Sequence, residues 1–121
     1  MASIFEATAG KLIGPTTGGT VTQATSKSTG VTLNAASGQI TMDDAALAAA
    51  AEVSFTVTNS EVASTDVVIV NHGSAGTAGS YLVQANSIAD GSFAITVANV
   101  SAGSLGEAIV LNYVALKGAS S

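Results

Sequence analysis

The chain has 121 residues, enough to bury one domain's core and too few for a second domain of ordinary size. It has no cysteine, which excludes disulfides, thiol nucleophiles, zinc–thiolate centres and iron–sulfur clusters. Only 9% of residues are charged and the net charge is −5, with no arginine and three scattered lysines (Lys11, Lys27, Lys117), so the clustered positive charge that nucleic-acid binding needs is missing.

Residues 1–18 contain Gly10, Gly14, Pro15 and Gly18, and their larger apolar residues after Met1 come as two pairs, Ile4-Phe5 and Leu12-Ile13. Two pairs cannot make a core, and Pro15 after Gly14 argues against a continuous helix or a central strand. The expectation is an extended arm that could reach on the order of 60 Å at about 3.3 Å per residue. The first six residues lack the basic stretch and long apolar run of a secretory signal, and no window approaches the ~18 apolar residues of a membrane helix. A soluble protein made inside a cell, without a membrane partner, is therefore expected.

From Gly19 onward the hydrophobic period becomes two. Thr20–Thr22, Gly30–Leu33 and Gly38–Met42 alternate, as does Glu52–Thr58, which sets Val53, Phe55 and Val57 on one face and Ser54, Thr56 and Thr58 on the other. Phe93–Val97 repeats the pattern, with Phe93, Ile95 and Val97 facing inward. Alternation rich in valine, isoleucine and threonine marks strands with one buried face. About eight short strands are expected between turns of Gly, Asn, Ser and Asp. They would form an antiparallel, jelly-roll-like sandwich or barrel over residues 19–118, with 119–121 as a tail. The run Asp43–Ala51 predicts at most one or two helical turns, or an irregular connector, since alanine favours helix but nine residues are short for one.

Two segments break the alternation. Val67-Val68-Ile69-Val70 is apolar throughout, and so is most of Ile109–Leu116. A strand apolar on both faces needs cover on both. The outer set of the second segment, Val110, Val114 and Leu116 around Asn112, reads as an oligomer interface; a central strand shielded by a loop is the alternative.

No motif carries chemistry. His72 is the only histidine and has no evident partner set for a base or a metal site. Asp43-Asp44 lacks the ligand spacing of a calcium loop, and Glu52, Glu61, Asp66, Asp90 and Glu107 are scattered singly. Gly73, Gly76 and Gly79 lack the lysine of a phosphate loop, and Asn99-Val100-Ser101 is a sequon that means little without secretion. No enzyme activity, cofactor or metal is expected.

The run GGTVTQATSKSTGVTLN from Gly18 to Asn34, then SGQITM from Ser37 to Met42, AEVSFTV from Ala51 to Val57 and GSLGEAIVLNYVALKG from Gly103 to Gly118, resembles a family of small β-rich virion proteins of tailed bacteriophages. The resemblance spans roughly residues 18–118 and leaves out the arm. It implies a structural protein on the exterior of a virion, made in the host cytoplasm, and it carries over no catalytic residue. Within that class a trimeric capsid decoration (cement) protein is expected. Its partners would be further copies of itself and the major capsid protein, with Ile4, Phe5, Leu12 and Ile13 of the arm entering grooves of the lattice. A head- or tail-fibre tip that binds a host receptor or glycan is the alternative.

Overall fold

The computed structural model describes residues 18–118, which form eight strands: β1 Gly18–Thr22, β2 Val31–Thr32, β3 Ser37–Thr41, β4 Glu52–Thr58, β5 Val67–Ser74, β6 Tyr81–Ala89, β7 Ser92–Asn99 and β8 Val110–Leu116. The expected all-β sandwich of about eight strands is the fold observed. Strand β1 already includes Gly18, so the sheet begins one residue before the expected domain boundary. The arm residues Ile4, Phe5, Leu12 and Ile13 and the tail 119–121 lie outside the described residues.

The strands make two four-stranded sheets, ordered β1-β3-β8-β5 and β2-β4-β7-β6. An antiparallel arrangement was expected throughout, but β1–β3 and β2–β4 pair in parallel. The cause is the path of the chain. The first four strands alternate between the sheets, so the next strand to return to a sheet runs in the direction of the one it joins. Only β6 and β7 form a hairpin within one sheet, closed by Asp90-Gly91, where Gly91 takes φ 86°.

The facing surfaces bury a single core. Ile40, Leu111, Tyr113 and Ala115 meet Phe55, Val57, Phe93, Ile95 and Val97, all nearly or completely excluded from solvent. Phe93 and Tyr113 stack at 5.4 Å across the sandwich. Strands β5 and β6 pack side by side without a ladder, which closes one flank of the sandwich.

No helix forms over residues 43–51. The alanine run is instead drawn along the end of the core: Leu47 is buried and pairs with Leu105, and the Ala50 amide donates to the Asn99 carbonyl. A short helix would satisfy its backbone locally but could not place Leu47 in the core and its carbonyl on Asn99 at once. Tertiary contacts decide the connector. No helix of the described residues is long and apolar enough to cross a membrane.

Strand register orders the first sheet into cross-strand rows. One row runs Gly18, Ser37, Val114, Ile69, and the row at the other end runs Thr22, Thr41, Val110, Ser74. The connector 42–51 and the loops 75–80 and 100–109 gather at the second end. The chain enters β1 and leaves β8 at the first.

Candidate interface on the outer face of the β8 sheet

Strand β8 is central in its sheet, between β3 and β5, and its side chains alternate strictly. Leu111, Tyr113 and Ala115 point into the core; Val110, Asn112, Val114 and Leu116 point out and are half-buried. The four residues expected to share an outward face therefore do share it. Their partial burial comes from neighbouring strands, since a central strand is flanked by side chains on both sides.

The larger exposure lies one strand further out. Strand β5 has one face toward the core, Val68, Val70 and His72, while Val67 and Ile69 face outward at 55% and 49% exposure. The run Val67–Val70 is thus not covered on both faces, as its composition had suggested. Register sets Val67 beside Leu116 and Ile69 beside Val114, so four aliphatic side chains adjoin at the end where the chain enters β1. Asn71 and Asn112 continue the face toward the loops, and Thr20 and Gln39 continue it across the sheet. The outer face is apolar at one end and polar at the other.

Asn112 marks the border. Its Oδ1 is buried without a hydrogen-bond partner, and its amide group fills the space over Gly73, where a Cβ would meet Nδ2 at 2.3 Å. The register of β5 shifts between His72 and Ser74, so glycine at this point lets the strand bulge over the amide. On the other side of Asn112 an open cleft of about 580 Å³ is floored by Gly18, Gly19 and Gly38 and edged by Thr20 and Gln39.

The outer face of the second sheet differs. Ser54 and Thr96 share a hydrogen bond across β4 and β7, Asn86 donates to Thr96, and Leu82, at 65% exposure, is its one large exposed aliphatic side chain. Phe55, Phe93, Tyr81 and Tyr113 are all buried, so no described aromatic ring offers a flat exposed surface for stacking on a sugar.

The loop end is fastened by groups that sequence spacing cannot connect. The buried Lys27 donates to the carbonyls of Asp43 and Glu107, which ties the connector to the 100–109 loop. Burial pushes its pKa down, against the pull of Asp43, Asp44 and Glu107. The Glu107 carboxylate accepts from the Thr77 amide and hydroxyl and from the Tyr81 hydroxyl at 2.7–2.9 Å. Thr77's hydroxyl and amide, then Tyr81, hold Glu107 below the usual carboxylate range. Tyr81 is pushed up to about 12 by burial and by that bond. His72 stacks edge-on against Tyr81 at 5.4 Å, and its Nε2 lies on the carbonyls of Ser74 and Ala75. These carboxylate, phenol and imidazole groups act as latches on the loops; among the described residues no three His, Asp or Glu side chains assemble as a metal-ligand set. Asn99 of the sequon is wholly buried, with Nδ2 donating to the carbonyls of Leu47 and Gly103.

No protein-family model, curated protein or solved structure matches this chain.

Proposed function

We propose that this chain is a structural protein of a tailed-phage particle, a trimeric capsid decoration protein that binds the assembled lattice through its N-terminal arm. The observation that carries the self-association half is the apolar end of the outer face, where Val67 and Ile69 stand exposed beside Val114 and Leu116. Contiguous exposed apolar patches mark protein–protein contacts, and this one joins side chains of two neighbouring strands. The viral half rests on the resemblance of residues 18–118 to small virion proteins.

In this reading the β domains associate through the β5–β8 outer face and the arms lie on the capsid, where Ile4, Phe5, Leu12 and Ile13 supply apolar anchors. One arm binds weakly, because ordering a chain on docking costs entropy. Three linked arms gain by effective concentration, by factors of about 10²–10⁴. Binding only to the finished lattice stabilises it by mass action, about 2.7 kcal/mol per site at a hundredfold excess over Kd.

A fibre tip is the second reading, favoured by the gathering of the connector 42–51 and the loops 75–80 and 100–109 at the end of the sheet opposite the entry into β1. The burial of every described aromatic residue weighs against it. Copy number separates the two. Quantitative mass spectrometry of purified particles should find hundreds of copies for a decoration protein and at most a few dozen for a fibre. Deleting residues 1–18 should abolish binding to capsids; binding that survives the deletion contradicts the arm mechanism.

A further inference from the structure

The exposed aliphatic cluster is small, and its position in the sheet is specific. It consists of four side chains, two of them half-buried, on the last two strands of the sheet. A stable interface buries roughly 800 Å² per partner. Four aliphatic side chains fall well short of that, so a flat subunit face cannot be held by this cluster alone. They suit the anchor residues of a peptide segment.

Register shows where such a segment begins. Gly18 lies in the row of Ser37, Val114 and Ile69, so the chain enters β1 at the level of the cluster. The residues before it, in reverse order, are Thr17, Thr16, Pro15, Gly14, Ile13 and Leu12. Thr16 and Thr17 favour extended backbone and Pro15 fixes its own φ, so any turn before β1 falls at Gly14-Pro15. Continued along the line of β1, five residues carry Ile13 on the order of 16 Å beyond the end of its own sheet. The cluster of the same chain lies sideways by two to three strand spacings of about 4.8 Å. A turn at Gly14-Pro15 would leave only Leu12 and Ile13, about 7 Å of chain, to cross that gap. A neighbouring copy has no such constraint.

We infer that the apolar end of the outer face is the seat of a second copy's N-terminal segment, with Leu12 and Ile13 of one chain covering Val67, Ile69, Val114 and Leu116 of the next. The inference rests on the proposal that the chain self-associates, and it names the contact. The root of each arm then belongs to the oligomer, and of the four arm anchors in the proposed function Ile4 and Phe5 alone reach the capsid. Each copy gives one segment and receives one, an exchange that closes as a reciprocal dimer or as a larger ring, the trimer of the proposed function among them.

The absence of native cysteine makes a direct test possible. The full chain is prepared with Ile13→Cys, with Ile69→Cys and with both, and strand content and melting temperature serve as the folding check. If Ile69→Cys does not fold, Val114→Cys takes its place. After oxidation the double variant should run as covalent multimers on a non-reducing denaturing gel. A mixture of the two single variants should give dimers whose disulfide-linked peptides contain residue 13 of one chain and residue 69 of the other. A monomer with an internal disulfide overturns the inference, because the segment then folds back on its own sheet. Absence of any cross-link in a protein whose native mass is still multimeric also overturns it, while leaving self-association intact. A monomeric native mass of the unsubstituted chain removes the self-association proposal and this inference together.

Discussion

Five polar side chains, Gln23, Lys27, Asn59, Asp66 and Asn99, are buried in this small domain, and those for which burial is costliest are held by several partners. Asn59 donates to the Ala35 carbonyl at 2.7 Å and accepts from the Glu61 amide, which anchors two loops beside Tyr113. Replacing Asn59 with Ala leaves those groups without partners, and thermal unfolding should report a loss of about 1–3 kcal/mol. Both tyrosines of the chain, Tyr81 and Tyr113, are pushed up to about 12, in each case chiefly by burial. Absorbance titration should therefore show no tyrosinate near the ordinary value of about 10. Since the folded values lie above the unfolded ones, this stabilisation is complete below about pH 10 and is lost as the pH rises toward 12. Tyrosinate at pH 10 in the folded protein would contradict the burial of both rings. None of these partnerships was legible in the sequence. Lys27 finds its carbonyls 16 and 80 residues away, and Tyr81 finds Glu107 26 residues away, distances over which spacing carries no signal.

Strands with one wet face could be read directly. Phe55 and Val57 of β4, and Phe93, Ile95 and Val97 of β7, are buried as their alternation required, and Phe93→Ala should cost about 3–5 kcal/mol by denaturant unfolding. The uniformly apolar runs were harder, because composition cannot give a strand's place in its sheet. β8 is central and its outer residues are half-buried; β5 is an edge strand, and Val67 and Ile69 stand in solvent. For the alanine run 43–51 composition allows helical turns or an irregular connector, and the pairing of Leu47 with Leu105 decides for the connector. Parallel pairing was invisible for a related reason, since alternation fixes which face is buried but not which strand lies alongside. The bulge of β5 over Asn112 gives a sharper test of local geometry. Gly73→Ala should destabilise, because its Cβ would meet the Asn112 amide at 2.3 Å. Adding Asn112→Ala should recover much of that loss, the coupling expected of residues in contact. Additive losses in the two-variant cycle would show that the bulge does not depend on this contact.

The whole molecule has two ends of different character. At one end buried lysine and carboxylate latches fasten three long loops; at the other the chain enters and leaves beside an exposed aliphatic cluster. Carboxylates at both ends respond to acid. Asp66, lowered by the Ala63 amide and then by Lys117, fastens the end of β8, and Glu107, lowered chiefly by Thr77, fastens the loops. Their folded values lie below the unfolded ones, so their stabilisation is present above about pH 4–5 and is lost as the pH falls through the folded values. Melting temperature should accordingly drop steeply below about pH 4, with Asp66→Asn flattening part of that dependence. The sequence could suggest an outward-facing apolar set on β8, and its four residues do share a face. It could not show that Val67 and Ile69 complete the cluster, because that depends on β5 pairing with β8. Self-association through this face is the central claim, and the native mass of the full-length chain in solution tests it most directly. Sedimentation equilibrium or native mass spectrometry at micromolar concentration should give three times the 11.7 kDa of one chain, and Ile69→Asp should shift that mass down without loss of strand content. A stable monomer of 11.7 kDa at that concentration would contradict the account.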